Sequence, residues 1–384
     1  MVIGFFGINP KSVSYSIYFE KAGHKCLFYD IDEDKVFNIN NKIFLSEEMD
    51  IHFHLIDRIN ISGSTDVSEV IKSSEILFDF IDCPANTDGT IDISKVFDTI
   101  QKFYLASHLE VNLYNKGFVL GSVLNPGDCK ILYEKISQFG LRFAYLPNFL
   151  TESKIYKSIS ENNLVVLGTN SEEFSQILSN LFRQIKSGMN INIMSMESAE
   201  LVKFAISSIV AYKVVVANLI GDYMISMGID KEIPLVLNSV SNDPRIGSQH
   251  MKYGLGYGGP NLGKEIRAFS EFTKNKKVEQ NIFEMTEKAN EEHTTFLKYY
   301  YMTLNPDKSK PFVIESIGYK KGSIILEDSQ RLKLCMELLQ EGYMINCIED
   351  LETANKLINL SEMYENRLKF YKKDSKPEGV KISL

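Results

Sequence analysis

A turn near the amino terminus has the spacing of a dinucleotide-binding motif. Such turns read GxGxxG after a strand, because each glycine removes a side chain where the backbone bends, where it meets pyrophosphate, or where helix packs on strand. Counting back from Gly23, the corresponding positions are Gly7, Asn9 and Ser12. Only the first glycine is present. Asn9 tolerates positive φ, but its side chain enters the space where a pyrophosphate approaches.

An acidic residue stands where such a unit binds ribose. Asp30 ends the second expected strand and is placed to accept the ribose hydroxyls of NAD. Lys35 and Cys83 complete the candidate cofactor-binding residues. Two interpretations stay open: a unit that binds NAD, and a Rossmann-type fold that has stopped binding dinucleotide.

The five cysteines and six histidines suggest no metal site. The cysteines are scattered, without CxxC spacing, at positions 26, 83, 129, 335 and 347. This pattern excludes a zinc site built on such spacing and argues against a disulfide framework, so we expect a cytoplasmic protein. The histidines show no metal-ligand spacing.

Alternating strands and helices must position these residues. Residues 2–8 and 25–30 have the length of buried parallel strands, and residues 12–22 between them are amphipathic. Further strand-like runs lie at residues 76–81, 118–120, 143–145 and 164–167. The pattern predicts an α/β fold with a parallel sheet and helices on both faces.

The pattern changes twice along the chain. We expect a Rossmann-type domain at 1–194, a helical domain without strands at 195–304, and a shortened Rossmann-like domain at 305–384. In the last, residues 311–317 and 343–348 read as strands and 328–341 as a helix. The lysine-rich end after Lys369 reads as a frayed tail.

Composition bounds the possible partners. The chain of 384 residues carries 42 Lys plus Arg against 50 Asp plus Glu, a net charge of -8, which argues against coating of nucleic acid. The apolar stretch 206–229 contains Lys213, Asn218 and Asp222, so it reads as a buried helix rather than a membrane span. The first seven residues lack the basic region of a signal peptide.

Several segments, taken in order, resemble the UDP-glucose/GDP-mannose dehydrogenase family. They are STD at 64–66, ANTDGTID at 85–92, GSVLNPG at 121–127, LPNFL at 146–150, AELVKFA at 199–205, NDPRIGS at 242–248 and GLGYGG at 254–259. The resemblance runs in register from residue 2 to about 350. It implies an NAD-binding first domain, a central helical dimerisation domain, and a truncated nucleotide-sugar-binding third domain.

The chemistry that this resemblance implies is a four-electron oxidation of a nucleotide sugar. NAD takes two hydrides in turn from the C6 hydroxymethyl group, and a cysteine thiolate carries the thiohemiacetal and thioester intermediates until water releases the uronate. The family holds that cysteine in G-F-G-G-S-C-F-P-K-D. Here residues 256–265 read GYGGPNLGKE, so Asn261 stands at the nucleophile position.

Other positions of the implied catalytic site are also changed. Val123 and Glu265 correspond to the family's water-holding threonine and aspartate, Asn148 to the glutamate of N-P-E-F-L, and Ser207 to the asparagine that stabilises the oxyanion. Lys203 is retained at its matching place. We therefore expect the standard chemistry to be lost, and we expect none of the five cysteines to replace the missing thiol.

The implied substrate site is less uniformly changed. The loop at 254–259 resembles the family loop that holds a sugar nucleotide diphosphate, although a purely structural turn is an open alternative. Its candidate substrate-binding residues are Arg245, Tyr253, Gly254, Gly256, Tyr257, Gly258, Gly259 and Lys320. Glu327 stands where the family has an arginine, which reverses the charge near the nucleotide.

The resemblance leaves three functions open. The first is a divergent oxidoreductase or binder of a UDP- or GDP-linked sugar, forming a homodimer through the helix at 196–227. The second is a non-catalytic assembly or regulatory partner in polysaccharide biosynthesis, pairing with an active paralogue. The third, a dehydrogenase of an unrelated small hydroxy acid, rests on the Rossmann-like start alone.

Overall fold

The computed structural model of the protein contains two compact units, Met1–Phe204 and Ala205–Leu384. The described residues are 1–46, 48–87, 89–151, 154–277, 281–320, 323, 325–349, 354–355, 357, 363–364, 367–372 and 374–382.

An eight-stranded sheet forms the centre of the first unit. Its strands are β1 (Val2–Phe6), β2 (Lys25–Tyr29), β3 (Ile61–Ser64), β4 (Ile76–Asp79), β5 (Gly117–Leu120), β6 (Arg142–Tyr145), β7 (Leu164–Gly168) and β8 (Asn190–Met194). The order is β3-β2-β1-β4-β5-β6-β7-β8, and the first six strands run parallel in the 3-2-1-4-5-6 order of a dinucleotide-binding fold. The expected fold class is confirmed. One pairing differs from the others in this sheet, because β7 runs antiparallel to β6.

Two groups of packed helices accompany this sheet. The helices are α1 (Pro10–Lys21), α2 (Glu33–Asn40), α3 (Met49–Leu55), α4 (Val67–Ser73), α5 (Ser94–His108), α6 (Asp128–Ser137), α7 (Ile155–Glu161) and α8 (Glu172–Ile185). Helix α1 packs with α3, α7 and α8, whereas α4 and α6 pack with α5. Two separate groups are what a sheet covered on both faces requires.

Aromatic packing fixes the first βαβ unit. Phe5, Phe19, Phe28 and Phe78 are fully buried, and the rings of Phe5 and Phe28 stack with their centroids 5.0 Å apart. Burial of one such ring stabilises the fold by roughly 1.5–3 kcal/mol. The cluster therefore fixes the carboxyl ends of β1 and β2, where the candidate cofactor residues follow.

The second unit contains helices and a small parallel sheet. After the long helix α9 (Met196–Ser226), which starts in the first unit, come α10 (Ile233–Ser241), α11 (Leu262–Asn275), α12 (Ile282–Leu304), β9 (Phe312–Glu315), α13 (Gln330–Gln340), β10 (Ile345–Ile348), β11 (Leu368–Tyr371) and β12 (Val380–Ile382). The sheet order is β11-β10-β9-β12.

The carboxyl-terminal segment is part of this sheet. β11 pairs with β10 and β12 pairs with β9, and the side chains of Leu368 and Ile382 are buried in the core of the unit. The expectation of a frayed tail after Lys369 is wrong. Two buried apolar side chains are enough to fix edge strands that otherwise carry lysines.

Helix α9 has one buried and one exposed face. Phe204, Ala211 and Ala217 are fully buried, whereas Ile209 and Tyr223 are more than 60% exposed. The expected burial of this segment therefore holds for one face only. Among the described residues, α9 is the one helix long and apolar enough to cross a membrane by length and composition.

Candidate functional site

The β1–α1 turn keeps one glycine for a conformational reason and replaces the other two with hydrogen bonds. Gly7 has φ +80, which favours glycine. Asn9 has φ -139 rather than the positive φ that its residue type permits, and it caps α1: its Oδ1 accepts from the amides of Lys11 (3.1 Å) and Ser12 (3.0 Å). Ser12 is buried, and its Oγ donates to the Gly7 carbonyl at 2.8 Å.

Asp30 lies beside the same turn. Its Oδ2 accepts from the Ile8 amide at 2.8 Å, and its Oδ1 accepts from the Asp32 amide at 3.1 Å. Lys35 Nζ is 3.9 Å from Oδ2. Each carboxylate oxygen can accept a second hydrogen bond, so this end fits a ribose. The structure brings together Asp30, Lys35 and the turn.

A buried carboxylate that the sequence reasoning missed holds the loop at 121–127. Glu200 on α9 accepts from the amides of Gly127 and Cys129, both at 2.7 Å. It thereby caps α6, and burial raises the pKa of the Glu200 carboxyl. Gly127 has φ +103, a conformation that L side chains rarely adopt. The pattern AELVKFA includes Glu200, but nothing in its spacing pointed to residues 127–129.

Lys203 lies in the first unit beside Phe149, the residue that follows Asn148 in the chain. The Lys203 ammonium is 5.8 Å from the centroid of the Phe149 ring. Asn148 lines a cavity of about 20 Å³ with Tyr15 and Ser158. Within the described part of the chain, neither atom of the Asn148 side-chain amide has a hydrogen-bond partner. The cavity has room for about one water molecule.

Two other candidate catalytic residues meet in the second unit. The Ser207 hydroxyl donates to Glu265 Oε2, and both residues are buried. Asn261 stands at the amino-terminal cap of α11, where its carbonyl accepts from the Glu265 amide at 2.9 Å. The structure therefore brings together Ser207, Glu265 and Asn261.

Tyr253 and Gly254 are fixed by polar groups that the sequence did not indicate. The Tyr253 hydroxyl donates to Asp222 Oδ1 at 2.7 Å. His293 bridges Asp222 Oδ2 and the Gly254 carbonyl, each at 2.7 Å, and Asn218 accepts from the Gly254 amide at 3.0 Å. Asp222 and His293 are 71 residues apart, so no local spacing could have revealed them.

The middle of the loop is clamped by Asn290 on α12. Its Oδ1 accepts from the Tyr257 amide at 2.9 Å, and its Nδ2 donates to the Tyr257 carbonyl at 3.0 Å. Gly256 has φ +82, and a Cβ there would lie 2.5 Å from Asn290 Oδ1. This part of the loop is therefore held through its backbone.

The last two loop glycines pack against the segment before α13. A Cβ at Gly258 would collide with the carbonyl oxygen of Asp328, and one at Gly259 would lie 2.6 Å from the Tyr319 ring. The Gly259 amide donates to the Glu327 carbonyl at 3.0 Å. Close packing within the second unit accounts for these glycines without a ligand, which supports the structural alternative for this part of the loop.

Arg245 and Lys320 each contact a residue close to them in sequence. Arg245 has a side chain 86% exposed and pairs with Asp243, Nη2 to Oδ2, at 2.6 Å. The Lys320 ammonium is 5.2 Å from the centroid of the Tyr319 ring, and Glu327 is exposed. Positions 321, 322 and 324 of the segment 319–330, and position 88 of ANTDGTID, lie outside the described residues.

The side chains of all five cysteines are buried. Burial raises the pKa of Cys335 to about 12 and raises the pKa of Cys26, Cys129 and Cys347 as well. Cys83, a candidate cofactor-side residue, is 2% exposed. No group of three or more metal-ligating side chains occurs in the described ranges.

Comparisons with known proteins agree with this architecture. Residues 2–186 match the UDP-glucose/GDP-mannose dehydrogenase family, NAD binding domain, and residues 197–292 match the central domain of that family. UDP-glucose 6-dehydrogenase of Rickettsia bellii is 24% identical over 363 residues, 92% of this chain and 82% of that protein.

Solved structures of low sequence identity share the fold. A UDP-glucose dehydrogenase from Pyrobaculum islandicum superposes with a TM-score of 0.81 at 18% identity, covering 97% of this chain and 86% of that one. A UDP-D-ManNAc dehydrogenase from Pyrococcus horikoshii gives 0.76 at 18% identity, covering 92% and 86%.

The expected cofactor, NAD, is confirmed by the match to the NAD-binding domain. Asp30 fits the ribose of this cofactor. Gly7 fits the start of the turn that would meet its phosphates. The amides of Lys11 and Ser12, however, bond to Asn9, so the pyrophosphate end does not fit as it stands. With two matched domains over most of its length, the chain belongs to the UDP-glucose/GDP-mannose dehydrogenase family.

Proposed function

We propose that this protein binds a nucleotide sugar together with NAD and does not oxidise the sugar to a uronate. The proposal rests above all on Asn261 and the neighbouring buried contact between Ser207 and Glu265. A thiolate can form and release a thioester, whereas a carboxamide has no comparable nucleophilic form. Position 261 therefore lacks the group on which the second oxidation depends.

The Ser207–Glu265 contact removes two further contributions. By resemblance, position 207 stabilises a developing oxyanion and position 265 holds the attacking water. Here the Ser207 hydroxyl donates its hydrogen bond to the Glu265 carboxylate and not to an oxyanion. Lys203 is retained at its place in the resemblance. Binding and orientation are thus supported better than a complete oxidation.

For the nucleotide sugar we propose UDP- or GDP-linked hexoses at the loop 254–259. Its backbone is held rigidly by Asn218, Asn290 and His293, and rigidity lowers the entropy lost on binding. The exposed Glu327 carries a negative charge near the Lys320 segment, so we expect a weaker diphosphate interaction than an arginine would give.

Calorimetry tests this proposal. NAD, NADP, UDP-glucose, UDP-glucuronate and GDP-mannose are titrated separately into the protein, and absorbance at the NADH band is followed with NAD and each sugar nucleotide present together. We expect binding of NAD and one sugar nucleotide without growth of the NADH band. If none of these five nucleotides binds at millimolar concentration, the proposal is contradicted.

We also propose a homodimer formed through the exposed face of α9. Ile209, Tyr212, Leu219 and Tyr223 are exposed along this helix, and apolar surface of this kind marks interaction sites. Sedimentation equilibrium should show a dimer that Ile209→Glu and Leu219→Glu together dissociate. Tyr299→Glu, an exposed apolar position on α12, is the control and should leave the dimer intact.

The alternative is a non-catalytic partner of an active paralogue. The internally capped β1–α1 turn favours it, because its hydrogen bonds are complete without a dinucleotide. This alternative predicts that no nucleotide in the calorimetric series binds and that the protein forms a heteromer through α9.

Two further expectations from the sequence are kept as proposals. One is a cytoplasmic protein without membrane or nucleic-acid partners, and the other is a division into the three regions 1–194, 195–304 and 305–384.

A further inference from the structure

The amides of the β1–α1 turn are engaged inside the protein. The Ile8 amide donates to Asp30 at 2.8 Å and the Asn9 amide to Ser12 Oγ at 3.0 Å. The amides of Lys11 and Ser12 donate to Asn9 Oδ1. Position 10 is proline, which has no N–H. From residue 8 to residue 12, each backbone donor present therefore has an acceptor.

A dinucleotide pyrophosphate needs these same donors. An anion at a helix start is held by backbone N–H groups that the first turn leaves without helical partners, helped by the helix dipole. In this turn the side chain of Asn9 takes the place of such an anion. Its Nδ2 also donates to the Phe80 carbonyl after β4 at 3.4 Å, so the amide is tied at both ends.

The neighbouring cation is also engaged. Lys11 Nζ donates to Asp82 Oδ1 at 2.6 Å, and the Lys11 side chain is 18% exposed. Asp82 lies two residues beyond Phe80, the residue that holds Asn9. The ion pair therefore links α1 to the end of β4 across the same crevice where a Rossmann-type fold takes its dinucleotide.

We propose that the Asn9 side chain is an internal competitor for the pyrophosphate of NAD and sets the affinity of this protein for its cofactor. NAD binds when Asn9 releases the amides of Lys11 and Ser12. This inference rests on the proposed binding of NAD and adds a residue that controls it. Because an apparent affinity is reduced by the fraction of protein in the competent state, a cap of typical strength lowers it about 2- to 30-fold.

Calorimetric titration with NAD and with adenosine separates phosphate from base and ribose. Asn9→Gly removes the competing oxygen, and we expect it to tighten NAD at least twofold while leaving adenosine unchanged, because adenosine has no phosphate. Asn9→Asp keeps the cap and adds a negative charge, and we expect it to weaken NAD while again leaving adenosine unchanged.

A matched cap elsewhere controls for stability. Ser171 caps α8 by accepting from the Phe174 amide at 3.2 Å, so Ser171→Gly should lower the unfolding temperature as Asn9→Gly does, with no change in NAD affinity. If wild type binds NAD and Asn9→Gly binds it equally or more weakly, the competition is refuted and the proposed function stands. If neither protein binds NAD, the proposed function fails as well. An equal change for adenosine and NAD would also refute the competition.

Discussion

Asn290 offers a direct perturbation of the candidate substrate loop. Both atoms of its side-chain amide are bonded to the backbone of Tyr257, and the residue is 3% exposed. Asn290→Ala leaves the Tyr257 amide and carbonyl buried without these partners. Each unsatisfied group costs about 1–3 kcal/mol, so we expect the free energy of unfolding to fall by about 2–6 kcal/mol. The unfolding temperature should fall by on the order of 10 °C.

Urea denaturation followed by circular dichroism measures this loss. Asn281→Ala is the control on the same helix. Asn281 caps α12 by accepting from the Glu284 amide at 3.0 Å, and its Nδ2 donates to Ser270 Oγ at 2.6 Å and to the Ser270 carbonyl at 3.3 Å. Because these contacts are at most partly buried, their loss should cost only about 1–2 kcal/mol. We also expect Asn290→Ala to weaken UDP-glucose binding, since the loop is no longer fixed. If Asn290→Ala is no more destabilising than Asn281→Ala, the clamp does not hold the loop.

Three further predictions follow from individual contacts. Gly258→Ala should destabilise by about 1–3 kcal/mol in urea denaturation, because its Cβ meets the Asp328 carbonyl, whereas Gly254→Ala, with open space around its Cβ, should change stability little; equal effects would contradict the packing argument. Burial raises the pKa of Asp79, so the native state holds a proton more tightly than the unfolded state, and the stability gained from protonated Asp79 is lost as pH rises through the raised pKa. Asp79→Asn should therefore gain stability relative to wild type when the urea midpoint is measured near pH 8 rather than near pH 4, and an unchanged difference would refute this. Asn261→Cys should form no uronate from UDP-glucose and NAD by mass spectrometry, because Ser207 remains bonded to Glu265; turnover by this single variant would show that the loss lies at position 261 alone.

The first βαβ unit could be predicted because its signals are local. Residues 2–8 carry enough apolar side chains for a buried strand, and Gly23 and Asp30 mark the following helix end and strand end. Helix α1 begins two residues before the amphipathic pattern, at Pro10, because Asn9 caps it. Capping by one side chain moves a helix start without changing the apolar pattern.

Short strands with polar residues escaped prediction. β3 reads ISGS, and its Gly63 is needed where a Cβ would lie 2.8 Å from Ile39. β11 and β12 are edge strands in which only Leu368 and Ile382 are deeply buried. Such strands depend on pairing with distant partners, which a local hydrophobic pattern does not encode.

The candidate site was predictable only where a family pattern covered it. The resemblance singled out Ser207, Glu265 and Asn261, which the structure brings together. It did not indicate Asp222 and His293, because their contact joins helices far apart in sequence. Nor did it show that Asn9 satisfies the helix start, since that depends on the rotamer that directs its oxygen toward two amides.

We propose that this protein binds its nucleotide ligands without completing the oxidation. The most direct test is the amount of NADH formed per nucleotide sugar consumed, in a solution where calorimetry has first shown that NAD and the sugar nucleotide are bound. We predict that no NADH accumulates and that the sugar nucleotide is recovered intact. Formation of two NADH for each sugar converted to its uronate would contradict the account.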